Sequence, residues 1–213
     1  MLPLPAEERS GLPRTRSEGF VFLSIPYDSR FQDLCLAYIA GAACFGLTAR
    51  ATLEIPGGTR RLDRIIELIS SCKFSIHDLS RVQLDRNQPR TPRFNMAFEL
   101  GLTVAWQRLA NRDHMWFVFE ERRHRVSKSL SDLSGTDIYI HGGIVRGVFR
   151  QLCNAFIGEK QQPSVAEMMS VYRYIKAELP TLLRTSRASS IFDGARPFRD
   201  IYIAAALRAE KRV

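Results

Sequence analysis

The stretch PRFNMAFELGLTVAW, residues 92–106, sets a carboxylate inside an apolar run. Asn95 and Glu99 are four residues apart, so in a helix they share one face. Phe94, Met96, Ala97, Phe98, Leu100, Leu102, Val104, Ala105 and Trp106 predict that the segment is buried. An unpaired carboxylate there is costly. Either Glu99 belongs to a solvated helix edge, or something makes its charge worth keeping. A place near the helix N-terminus favours the ionised form by about 0.3–1 kcal/mol. Other polar residues stand at the ends of apolar runs: Tyr27 and Asp28 after FVFLSIP, Asp78, Ser80 and Arg81 at the end of KFSIHDLSR, and Arg93 just before the helix.

The elements that would position these groups are legible from periodicity. Phe20–Ile25 predicts a buried strand ending at Pro26. Asp28 or Ser29 can cap a helix through Phe31, Leu34, Cys35, Tyr38, Ile39, Ala42 and Phe45, which stops near Gly46. Thr48–Ile55 reads as a second strand broken by PGGT, and Leu62, Ile65, Ile66 and Ile69 as an amphipathic helix. Lys73–Leu79 is a third strand. The polar loop SRVQLDRNQPRTPR, with Arg81, Arg86, Arg90 and Arg93, is long enough to act as a lid. The Glu99 helix follows, then a strand at His114–Glu120 and a short one at Ile138–Ile140. Ile144–Ile157, Val165–Leu183 and Pro197–Arg212 read as helices, with a hinge-like GEKQQPS at 158–164. This alternation implies an α/β fold: a parallel sheet with helices on both faces. In such sheets ligands bind beyond the carboxyl ends of the strands, where the polar residues above fall.

The chain of 213 residues divides into a flexible leader (1–19), an α/β domain (20–158) and a helical C-terminal extension (159–213). No apolar run is long enough for a membrane span, and the N-terminal segment has no signal-peptide core. Cys35, Cys44, Cys72 and Cys153 lack CxxC spacing and read as buried thiols of a reducing, cytoplasmic setting. They share no ligand spacing with the histidines, so no metal site is expected. The net charge of +9 is either a solvated basic surface or a footprint for a polyanion, with one cluster at Arg122, Arg123, His124 and Arg125.

Each candidate has a plainer reading. Asp78 could only turn a strand end, Tyr27 and Asp28 could only start a helix, and Ser80 is a turn residue without nucleophile context. His77 alternates away from Asp78 and reads as structural. Asp137 and His141 flank the last strand as surface residues or at the edge of the site. Gly142 and Gly143 read as a turn.

The segments FVFLSIPYDSRF (20–31), CKFSIHDLSRV (72–82) and PRFNMAFELGLTVAW (92–106) together resemble the nucleoside 2-deoxyribosyltransferase-like superfamily, especially its TIR-like prokaryotic branch. KSLSDLSGTDIYIH (128–141) is also similar to that branch. The resemblance implies a flavodoxin-like fold acting on an N-glycosidic bond. It places Glu99 as the catalytic carboxylate and Asp78 as the acid that positions or protonates the base. Tyr27 falls in the loop that contacts substrate. The transferases carry a second Asp where this chain has Arg93, which suits a phosphorylated substrate, since Arg grips phosphate.

Glycosidic cleavage builds positive charge on the ribose, which a carboxylate stabilises or captures. The expected activity is therefore cleavage of a nucleotide, with NAD as substrate and no cofactor. Glu99 and Asp78 are the catalytic pair; Tyr27, Asp28, Ser80, Arg81, Arg93 and Asn95 bind substrate. The resemblance further implies a prokaryotic defence or stress role and a homo-oligomer or larger assembly. The alternative is a non-catalytic nucleotide sensor that signals through its helical tail. A third expectation is nucleic-acid binding through the basic surface.

Overall fold

FVFLS and FSIHD are buried along almost their whole length, as strands covered on both faces must be. The computed structural model describes residues 19–55, 60–81 and 92–211. Its five parallel strands are β1 (Phe20–Ser24), β2 (Thr48–Ala51), β3 (Phe74–Asp78), β4 (Met115–Glu120) and β5 (Ile138–Ile140), in the order β2-β1-β3-β4-β5. The helices are α1 (Gln32–Cys44), α2 (Arg61–Ser71), α3 (Asn95–Leu109), α4 (Arg125–Ser129), α5 (Val145–Ala155), α6 (Val165–Ser186) and α7 (Ala195–Glu210). The fold is α/β and flavodoxin-like, with a C-terminal helical extension.

Strand alternation divides the core. Val21, Leu23, Phe74, Ile76 and Phe119 face α1, α5, α6 and α7. Phe22 faces α2, and Val118 packs with Leu79, Met96 and Leu100 on the α3 side. Leu34 to Ala43 of α1 are buried without exception, and a helix apolar on every side must be covered on every side. The sheet covers one side. Met168, Val171, Ile175 and Leu179 of α6 with Phe198, Ile201 and Ala205 of α7 join the same core and cover the other. The C-terminal extension therefore completes the core of the sheet domain. Ser164 starts α6 with a capping box shared with Glu167.

Three local expectations change. β2 ends at Ala51, not Ile55, because the Glu54 carboxylate takes the Ala51 N–H (2.8 Å) and grips Arg50 (2.8 Å), which turns the chain into a 3₁₀ turn at Thr52–Glu54. The short α4 was not expected. Residues 92–106 are not uniformly buried: Phe94 and Phe98 are 67% and 55% exposed, whereas Glu99 is only 7% exposed. The buried set Met96, Glu99, Leu100 and Thr103 is one helical stripe, and the two phenylalanines lie off it. The leader to residue 18, the PGGT break and the lid-like segment 82–91 lie outside the described residues.

Candidate active site

In a sheet of this strand order the topological switch point lies between β1 and β3, beyond their carboxyl ends. Tyr27 and Asp28 leave β1 there, and Arg81 leaves β3. Asp28 caps the 3₁₀ turn at Ser29–Phe31 by accepting the N–H groups of Arg30 (3.0 Å) and Phe31 (3.1 Å). Its other oxygen faces Arg81 (3.4 Å) and Arg93 (3.8 Å), so one carboxylate straddles the switch point and holds two arginines. Arg93 also donates to the carbonyl of Tyr27 (3.2 Å). Tyr27 is half-buried. Its hydroxyl meets Thr52 Oγ1 (2.9 Å), and its ring lies 5.6 Å from Phe192, in the link between α6 and α7. Burial raises the Tyr27 pKa, the hydrogen bond to Thr52 opposes this, and the nearby Glu99 adds to the rise.

Glu99 sits in the second turn of α3, one turn after the exposed Asn95. Burial lifts its carboxyl above the ordinary value, and the Ser24 hydroxyl and the positive charge of Arg61 offset part of that. Ser24 ends β1, and its buried Oγ has no hydrogen-bond partner at bonding distance among the described residues. Nε of Arg81 is likewise buried without a hydrogen bond among the described residues, its contact with Asp28 being an ion pair of poor bonding geometry. Ser24 beside Glu99 and Arg81 beside Asp28 thus keep polar atoms open that buried polar groups ordinarily close.

Asp78 and Ser80 require correction as site residues. In register, Asp78 pairs with Phe119, whose side chain faces α1, whereas Ser24 pairs with His77 on the other face. Alternation thus sends Asp78 toward α1 and α5 while Glu99 meets Ser24 on the α2–α3 side. Asp78 has no exposure at all. Its Oδ2 accepts from the Tyr38 hydroxyl (2.7 Å) and from Nε2 of His141 (3.1 Å), and its Oδ1 accepts the Ser80 N–H (2.9 Å). Ser80, 1% exposed, turns its Oγ to the same His141 nitrogen (3.2 Å). His141 Nδ1 accepts the N–H of Gly143 (3.0 Å), which assigns the ring hydrogen to Nε2. Ser80 and Asp78 share one ring nitrogen, so the group is not a relay triad. Burial pushes the Asp78 pKa up, but the hydrogen bonds from His141, Ser80 and Tyr38 outweigh it and hold it below the usual range. The interior place of His141 also corrects its reading as a surface residue, while Asp137 is exposed.

A third buried acid has no mark in the sequence. Glu120, fully buried, is bound by Arg125 through Nε (3.0 Å) and Nη2, and takes the N–H groups of Glu121 (2.6 Å) and Arg122 (3.2 Å). Arg125 also donates to the Ser80 carbonyl (2.8 Å), tying α4 to the loop after β3. His77, buried on the face opposite Asp78 with its ring against Phe22 and its nitrogens without a hydrogen bond among the described residues, is pushed down to about 3 by burial, so it stays neutral. Among the described residues no three His, Cys, Asp or Glu side chains converge as metal ligands would, and no described helix is long and apolar enough to cross a membrane.

No protein-family model, no curated protein and no solved structure matches the chain.

Proposed function

We propose that the protein cleaves the N-glycosidic bond of a nucleotide, with NAD the favoured substrate, releasing nicotinamide and ADP-ribose. One observation carries this reading: a nearly buried carboxylate, Glu99, faces the buried Ser24 hydroxyl at the end of β1, which has no hydrogen-bond partner at bonding distance among the described residues. Glu99, ionised, stabilises the oxocarbenium-like ribose as nicotinamide departs, and water then adds to C1 and loses a proton to give ADP-ribose. The Ser24 hydroxyl and Asn95 bind the ribose hydroxyls. Arg81 and Arg93 take the phosphates, for which Asp28 now substitutes. Asp78 holds the β3 end and has no part in the chemistry. A defence or stress role, and action within a homo-oligomer or larger assembly, belong to the same proposal and rest on the resemblance.

Release of free nicotinamide from NAD, followed by chromatography over a range of protein concentrations, tests it. Glu99→Gln should lower turnover by at least about 10²-fold. Turnover that survives this substitution removes Glu99 from the chemistry.

Two observations favour a second reading, a nucleotide sensor without turnover. A carboxyl raised by burial tends to keep its proton and then serves as a hydrogen-bond donor. The Phe192 ring on Tyr27 also gives the C-terminal helices a direct contact with the site. Saturable binding of NAD or another nucleotide with no nicotinamide released at any protein concentration would select the sensor.

A further inference from the structure

We propose that the groove between α6 and α7 receives an acidic, amphipathic helix from another protein. Leu182 and Thr185 of α6 and Ala204, Ile203 and Leu207 of α7 line a groove of about 490 Å³. Ile203 and Leu207 are 41% and 55% exposed, and Tyr174, at the far end, is 38% exposed. From Arg196 on α7 to Lys211 just past its end the lining residues recur at helical spacing, so they form one continuous face. At 1.5 Å per residue that face is roughly 22 Å long. Such a length suits three to four turns of a docked helix read through spaced apolar anchors, and it is too long for a single nucleotide.

Charge selects the occupant. Arg196, Arg208 and Lys211 line the groove with a single carboxylate, Asp200, which Arg196 already faces at 3.9 Å. Arg208 lies over the Tyr174 ring (5.2 Å from its centre), and its Nε is buried with no hydrogen-bond partner among the described residues. A buried donor without an acceptor is destabilising. A carboxylate arriving on a partner helix would oppose the charges of Arg208, Arg196 and Lys211 at the groove, while its leucines cover Ile203 and Leu207. A second copy of this chain fits poorly. A two-fold contact would set the cationic rim against itself, on a chain whose net charge is already +9.

The probe is a synthetic peptide of about 15 residues, with leucines at helical spacing flanked by glutamates, titrated into the full chain by fluorescence anisotropy. Saturable one-to-one binding is expected, weakened roughly tenfold or more by Leu207→Asp and by Arg208→Met. A scrambled peptide and a version with lysine in place of glutamate should not bind. Circular dichroism checks that both variants keep their helices, and Ile203→Ser serves as a milder second variant at the same face. Equal binding of the acidic, scrambled and lysine peptides overturns the proposal. So does acidic-peptide binding untouched by all three substitutions, and so does a self-association of the chain that Leu207→Asp abolishes.

Discussion

Asp78 and Glu99 sit at the same end of the sheet and face opposite sides of it, Asp78 toward Tyr38 and His141 and Glu99 toward Ser24. The two buried carboxylates also differ in charge economy. Asp78 is met by three hydrogen-bond donors and held below the usual range, whereas burial lifts Glu99 above it. A carboxylate kept in a place that disfavours its charge marks a site of function more often than one of stability. The two therefore respond to substitution in opposite ways.

Glu99→Gln should stabilise the protein near neutral pH. The folded pKa of Glu99 is raised from its ordinary value of 4.5, so the folded state holds its proton more tightly than the unfolded chain. Stability is lost as pH rises from the unfolded value through the folded one. The glutamine removes that penalty, so its advantage should grow with pH above the ordinary value and vanish below it. Thermal melts of both proteins across this range check it, with Tm rising roughly 2–4 °C for each 1 kcal/mol gained. A variant less stable than the parent at neutral pH would show that Glu99 is bound as a structural anion.

Asp78→Asn should do the reverse. Its carboxylate faces donors on both oxygens, so an amide nitrogen on either side meets a donor. The expected loss is about 2–4 kcal/mol. The folded pKa is depressed below 3.8, so this stabilisation is present above the unfolded value and fades as pH falls through the folded one. The gap between wild type and variant in urea unfolding should therefore close in acid. Tyr38→Phe, which removes one donor, should cost about 1–2 kcal/mol.

The sequence told the layers of this fold well and its pairings poorly. FVFLS, FSIHD and MWFVFE are apolar runs bounded by turn residues, and burial on both faces leaves that signature. The four polar positions at the β1–β3 switch point that the structure keeps together, Tyr27, Asp28, Arg81 and Arg93, were readable because they follow or flank those runs. Asp78 was misplaced although the alternation of Phe74, Ile76 and Asp78 already assigned it to the face of two core residues. The apolar stripe of α3 likewise separated Glu99 from Phe98, but an apolar average hides a stripe. Tyr38 read as core because a hydroxyl does not disturb helical period, and the partnerships of His141 with Asp78 and of Arg125 with Glu120 leave no local mark.

Arg125 gives a third prediction, through the charge it neutralises. Glu120 has no exposure and its carboxylate is bound by the Arg125 fork. Hydrogen bonding to Glu120 also raises the Arg125 pKa, against the smaller opposing effect of burial. Arg125→Met leaves that carboxylate uncompensated and should cost about 3–5 kcal/mol in urea unfolding. Arg125→Lys should recover only part, since an ammonium cannot span both oxygens of Glu120 and the Ser80 carbonyl. The double change Arg125→Met with Glu120→Gln should be milder than Arg125→Met alone. A neutral Arg125→Met would place the pair outside the folding energetics.

The last prediction concerns the boundary at residue 158. The division of the chain into an α/β domain and a tail leaves open whether the tail packs back on the sheet domain, mediates dimerisation or binds a partner, and so whether residues 20–158 can stand alone. The core argues that they cannot, because Leu36, Ala37, Ile39 and Ala40 of α1 are sealed in one cluster with Met168, Val171, Ile175, Phe198 and Ile201. Each large apolar side chain of that set contributes about 1.5–3 kcal/mol by leaving water, and domain stability totals only about 5–15 kcal/mol. Deleting residues 159–213 should therefore leave a chain without a cooperative thermal transition, one that aggregates or binds a hydrophobic dye. The deletion also strips Phe192 from Tyr27 and Tyr202 from Thr48, so the β1–β2 end of the candidate site loses its support along with the core. A sharp melt and dispersed amide resonances from residues 20–158 would mean that α1 tolerates an open face and that α6 and α7 form a separable unit.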